Sequence, residues 1–89
     1  MDYAAQKLKV FKVMDKIITL QMKRAVNIMN VYDTDNWDVF KDKVQIQLKA
    51  LNDAGNTCTR MLDRIDRVTD LDEKLKQLDK MLEEINNAD

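Results

Sequence analysis

The sequence contains no histidine, no proline and no serine, and it has a single glycine and a single cysteine. Without histidine, the commonest general base and metal ligand is missing. Without histidine and serine, neither a Ser–His–Asp triad nor a Cys–His dyad can be built. One glycine cannot make a phosphate-cradling loop. A zinc site needs several thiolates or imidazoles, and there is one thiol. The run Asp33-Thr34-Asp35-Asn36-Trp37-Asp38 resembles the opening of a calcium loop. That loop needs glycine at its sixth position and glutamate at its twelfth, where this chain has Asp38 and Val44. No catalytic residue, metal site or cofactor is therefore expected, and the reading is of a protein that is not an enzyme.

Cys58 alone cannot form an intrachain disulfide, which fits a reducing, cytoplasmic setting. Its place in an apolar seam reads as a small buried hydrophobe rather than a redox or lipidated thiol. No apolar run approaches the roughly 18 residues that span a bilayer, and the N-terminus lacks the pattern of a secretory signal.

What is present is amphipathic. Hydrophobic residues make up 45% of the 89 residues and charged residues 35%. With so few helix breakers, the composition predicts one all-α domain over residues 1–89. The expected architecture is an antiparallel helical hairpin or a three-helix bundle of long amphipathic, coiled-coil-like helices. Net charge is −1, which gives no electrostatic case for nucleic acid. The charge is uneven, +4 over residues 1–32, −2 over 33–56 and −3 over 57–89. A basic first helix and an acidic last one suit an antiparallel hairpin or a partner of opposite asymmetry.

Residues 2–32 read as one helix with two adjacent seams. One runs through Leu8, Phe11, Ile18, Met22, Ala25, Met29 and Tyr32, with Asp15 in the remaining slot. The other runs through Val10, Met14, Ile17, Ile28 and Val31. Together they make a face wider than a two-stranded coiled coil uses, so the helix expects at least two neighbours. Residues 33–36 read as a turn, with Asp35 as N-cap of the next helix and Asp38 three residues on. Tyr32, Trp37 and Phe40 are expected to cluster there. A second helix is expected over 37–86, with two readings open at 52–57. Either Gly55 ends it, or it runs through and the small residues admit a close neighbour; the unbroken heptad phase favours the second. Further on, Ile65, Val68, Leu71, Leu75, Leu78, Leu82 and Ile85 carry a 3-4 pattern with a doubled three at Val68, which reads as local overwinding. Asp63–Arg67, Asp70–Lys74, Asp72–Lys76 and Lys80–Glu84 are spaced for i,i+4 pairing.

The segments Lys49-Ala50-Leu51-Asn52 and Leu62-Asp63-Arg64-Ile65 resemble the subunit-two family of the biogenesis of lysosome-related organelles complex, as does Met14-Asp15-Lys16-Ile17-Ile18-Thr19-Leu20. The likeness covers about half the chain and carries an insertion around Asp33–Trp37. It implies a small helical subunit of an elongated hetero-oligomer in endosomal and lysosomal trafficking. Leu71-Asp72-Glu73-Lys74-Leu75-Lys76-Gln77-Leu78 is similar to the coiled coil of the smallest subunit of the actin-regulating WAVE complex. Both resemblances imply a subunit of a larger cytoplasmic assembly.

The apolar seams exceed what one hairpin can cover, which points to oligomerisation. The expected partners are other helical proteins in a hetero-oligomer, with a homo-oligomer as the variant. The expected interface is Val10, Met14, Ile17, Leu51, Leu62, Ile65, Leu71, Leu75, Leu78 and Leu82. Two alternatives remain: a self-contained helical regulator or inhibitor of a folded target, and a basic amphipathic helix over residues 7–29 that lies on a membrane surface or in a calmodulin-like groove.

Overall fold

The computed structural model describes residues 3–88, which form three helices: α1 (Ala4–Val31), α2 (Trp37–Asp63) and α3 (Leu71–Asn87). The expected helix start at Asp2 lies outside the described residues. Of the two expected architectures, the three-helix bundle is the one that forms. Lys9 meets Asp72, Lys16 meets Asp79 and Lys23 meets Asn86. Each contact lies seven residues beyond the last on both helices, so α1 and α3 run parallel in heptad register. α2 runs antiparallel to both and packs mainly on α1, with Arg24 of α1 reaching Gln47 while Met14 and Ile17 face Gly55 and Thr59. The basic and acidic helices do pair, but in parallel. Two hairpins in succession return the chain to its starting direction.

The bundle is a rod of 55 × 18 × 16 Å. Its radius of gyration of 15.3 Å exceeds the roughly 12 Å of a compact domain of this length. Three stripes meet along its axis: Val10, Val13, Ile17 and Leu20 from α1; Leu51, Ala54, Cys58 and Met61 from α2; and Leu75, Leu82 and Ile85 from α3. Met14, Leu62, Ile65, Val68, Leu71 and Leu78 pack against them from the margins.

The first turn forms at the expected place by different chemistry. Asp33 takes a left-handed conformation (φ 64°), which a short polar side chain tolerates. Thr34 then organises the turn. Its hydroxyl donates to the Val31 carbonyl at 2.5 Å and accepts the Asn36 amide at 3.3 Å. Asn36, already in helical conformation, occupies the N-cap of α2 without a side-chain cap bond. Asp35 is therefore one residue too early to cap, and the box with Asp38 does not form. Tyr32 and Trp37 meet edge-on at 5.4 Å. Phe40 instead shares a shallow hollow with Asn27, Asn30 and Val31.

At 52–57 the favoured reading, a continuous helix, is the one that forms, but the helix expected over 37–86 is broken further on. α2 runs through Gly55, with Thr57 and Thr59 bonding back to the carbonyls of Asp53 and Gly55. Burial of Leu51, Ala54, Cys58 and Met61 on one stripe outweighs the weak propensity of the intervening residues. The helix ends at Asp63, and the chain reverses over 64–70, finishing in left-handed Asp70 (φ 55°). The doubled three at Val68 is the trace of this turn rather than of overwinding. Asp63–Arg67 pairing needs a continuous helix, and Arg67 lies instead 4.0 Å from Asp66. The acidic first turn of α3, Asp72 and Glu73, suits its dipole.

Gly55 is not a point of close approach, because a Cβ there would meet nothing within 4 Å. Its backbone is helical, so glycine only adds entropy to the unfolded chain. Gly55→Ala is expected to stabilise the bundle by about 0.5–1 kcal/mol, read as a higher urea midpoint at unchanged slope.

Candidate interaction surface

The two seams of α1 part company in the fold. The seam through Val10 and Ile17 turns inward. The other remains outside, although its spacing is the more regular. Leu8, Phe11, Ile18, Met22 and Met29 are between 51% and 78% exposed, and Val26 and Tyr32 widen the stripe. A helix has about 1.5 Å of rise per residue, so the stripe runs roughly 36 Å along the rod. One or two exposed apolar side chains are ordinary on a soluble protein, but a continuous seam at 3-4 spacing is not. Val39 and Ile46 on α2 are also exposed, as an isolated pair seven residues apart.

The flanks of this seam are polar. Lys7 and Lys12 lie beside its N-terminal half, and Asp33 and Asp35 beyond its C-terminal end. Near its midpoint, a notch of about 150 Å³ opens between Met14, Ile17, Ile18 and Gln21 of α1 and Asn52, Gly55, Asn56 and Thr59 of α2. Gly55 leaves this notch open by having no side chain.

The ten residues expected to face a partner face one another. Val10, Ile17, Leu51, Leu75 and Leu82 are buried in the chain's own core. Met14, Leu62, Ile65, Leu71 and Leu78 pack partly buried against it. A charge at Leu75, suited to testing an interface, would here place a carboxylate in the core and unfold the chain.

A polar layer inside the core is the feature least visible in the pattern. Arg24 is 1% exposed. Its Nε donates to Gln47 Oε1 at 2.6 Å, and its Nη2 donates to the Ile85 carbonyl at 2.6 Å. One side chain thus ties all three helices. Ile85 lies in the last turn of α3, where its carbonyl also accepts the Ala88 amide at 3.4 Å and the dipole favours a cation. Lys43 of α2 donates to the carbonyl of Ala88 at the same end. The only advance signal is position: Arg24 falls seven residues after Ile17 and fourteen after Val10, on the stripe that turns inward.

Cys58 is fully buried, and desolvation pushes its thiol above the usual range. A protonated, enclosed thiol is a poor nucleophile. Ellman's reagent is expected to modify it about 10³-fold or more slowly in the native chain than in urea, because reaction waits for unfolding. Rapid modification under native conditions would show that the core opens there. The raised value also gives stability that is full below the ordinary thiol range and falls as pH climbs through the folded value.

Among the described residues, no group of three His, Cys, Asp or Glu side chains is placed to hold a metal ion. No helix among them is long and apolar enough to cross a membrane. Comparison with protein-family models, curated proteins and solved structures finds no match to this chain.

Proposed function

We propose that this chain is a non-enzymatic assembly subunit whose working surface is the outer seam of α1. The observation that carries the reading is a heptad seam, polar only at Asp15, left outside a core already closed by three helices. Helix-on-helix burial is the interaction that 3-4 spacing serves, and a straight exposed seam offers knobs and holes along its length. A subunit of a larger cytoplasmic complex, in vesicle trafficking as the likeness of its 49–52 and 62–65 segments suggests, would use such a surface. The closed core also favours a second reading, a self-contained regulator that presents the same seam to a folded target.

The discriminating variant is Ile18→Asp. Ile18 is half exposed, so the change leaves the core intact and places a charge in the middle of the seam. A photocrosslinking residue at Met22, introduced in expressing cells, is expected to trap a discrete protein adduct that Ile18→Asp abolishes. The helical circular dichroism of that variant should be unchanged. An adduct equally abundant in Ile18→Asp, or none in either form, would remove the outer seam from the argument.

A further inference from the structure

We infer that the outer seam of α1 is occupied by a second copy of this chain, packed antiparallel about a two-fold axis near residues 18–22. The inference rests on the proposal that the seam docks a helix, and names that helix.

The seam positions are 8, 11, 15, 18, 22, 25, 29 and 32. Reversed on themselves they fall into register, so Leu8 shares a layer with the partner's Tyr32 and Phe11 with the partner's Met29. Ile18 meets the partner's Met22 beside the two-fold. The one polar residue in the seam, Asp15, falls opposite the partner's Ala25. That small side chain leaves a carboxylate room to stay hydrated.

Charge selects this direction. Antiparallel packing brings Lys7 and Lys12 to the end of the partner that carries Asp33 and Asp35, and the symmetry does so twice. Parallel packing would set Asp15 against the partner's Asp15 and Lys7 beside the partner's Lys12, which like charges at coiled-coil distance resist.

Length agrees. From Leu8 to Tyr32 the exposed seam offers roughly 36 Å for a second helix to lie along. Met22, flexible and 66% exposed, is suited to fill the open notch beside the partner's Ile18.

The test is sedimentation equilibrium of the full chain across a concentration series, with Ile18→Asp alongside. The expected result is a mass of about twice 10.5 kDa for the parent chain. For Ile18→Asp, with its helicity retained, it is a monomer or a dissociation constant raised at least about 100-fold, because symmetry places the charge in the interface twice. Direction is read by disulfide trapping in a Cys58→Ala background. Phe11→Cys mixed with Met29→Cys should cross-link, and Phe11→Cys alone should not.

A dimer that Ile18→Asp leaves intact overturns the inference, since association then uses another surface. Self-cross-linking of Phe11→Cys overturns the antiparallel arrangement. A parent chain monomeric throughout the series overturns the second copy. If the Met22 photo-adduct is still formed in cells and lost in Ile18→Asp, the seam docks a different protein and the broader proposal stands. If no adduct forms either, both fall.

Discussion

Replacing Leu51 by alanine is expected to lower the unfolding free energy by about 3–5 kcal/mol, the upper part of the range for buried leucines. Leu51 is completely buried and belongs to the core cluster that all three helices build. Truncation there removes apolar contacts in the core and leaves a void that long, parallel-sided helices cannot easily collapse to fill. A domain of this length has about 4–13 kcal/mol of total stability. The variant should therefore unfold at a much lower urea concentration, or be partly unfolded without denaturant. Trp37 fluorescence and circular dichroism should report the same transition, because the chain has one continuous core. A loss below about 1 kcal/mol would mean that Leu51 does not sit in a closed core.

Helical content follows from the absent prolines and the lone glycine, and the first turn from Asp33, Thr34 and Asn36, whose side chains compete for the backbone. The division of α1 into inner and outer seams is not legible from periodicity. Both stripes are apolar, and a hydrophobic pattern reports that a face wants covering without naming what covers it. Choosing Val10 and Ile17 as a partner's surface and passing over Phe11 and Met22 follows from that ambiguity. Once α2 and α3 take the inner stripe, the outer one remains.

The break at 64–70 has a related cause. At 52–57 the favoured continuous helix forms, because Leu51, Ala54, Cys58 and Met61 hold that stretch helical by burial on one stripe. At 64–70 the residues are individually unremarkable, apart from β-branched Ile65, Val68 and Thr69. What ends α2 is the need of Leu75, Leu82 and Ile85 to reach the core from the other direction. The phase slip at Val68 records this, but a slip of three residues fits an overwound helix as readily as a turn. Tertiary packing decides between them.

The buried Arg24 carries the second large effect, and its test is a cycle rather than a single variant. Gln47→Leu is expected to cost about 2–4 kcal/mol, because it removes a charge-assisted hydrogen bond while leaving the guanidinium enclosed. Arg24→Met keeps most of the volume but strands the Gln47 amide oxygen in the core and withdraws the donor at the Ile85 carbonyl. It is expected to cost about 1–3 kcal/mol. The double variant Arg24→Met with Gln47→Leu removes the charge and its side-chain acceptor together. Its loss should be smaller than that of Gln47→Leu alone, giving a coupling of at least about 1 kcal/mol in urea titrations of all four proteins. Strict additivity would show that Arg24 and Gln47 do not act as a unit. Amide hydrogen exchange adds a readout at the third corner of the layer. In both variants lacking Arg24, the last turn of α3 loses a cation at its carbonyl end and should exchange faster than in the parent. Gln47→Leu retains that cation and should protect the turn more than they do. The layer would then be a register device, locking the end of α3 against α1 and α2 at one depth, where an all-apolar core would let α3 slide by a heptad along the parallel seam.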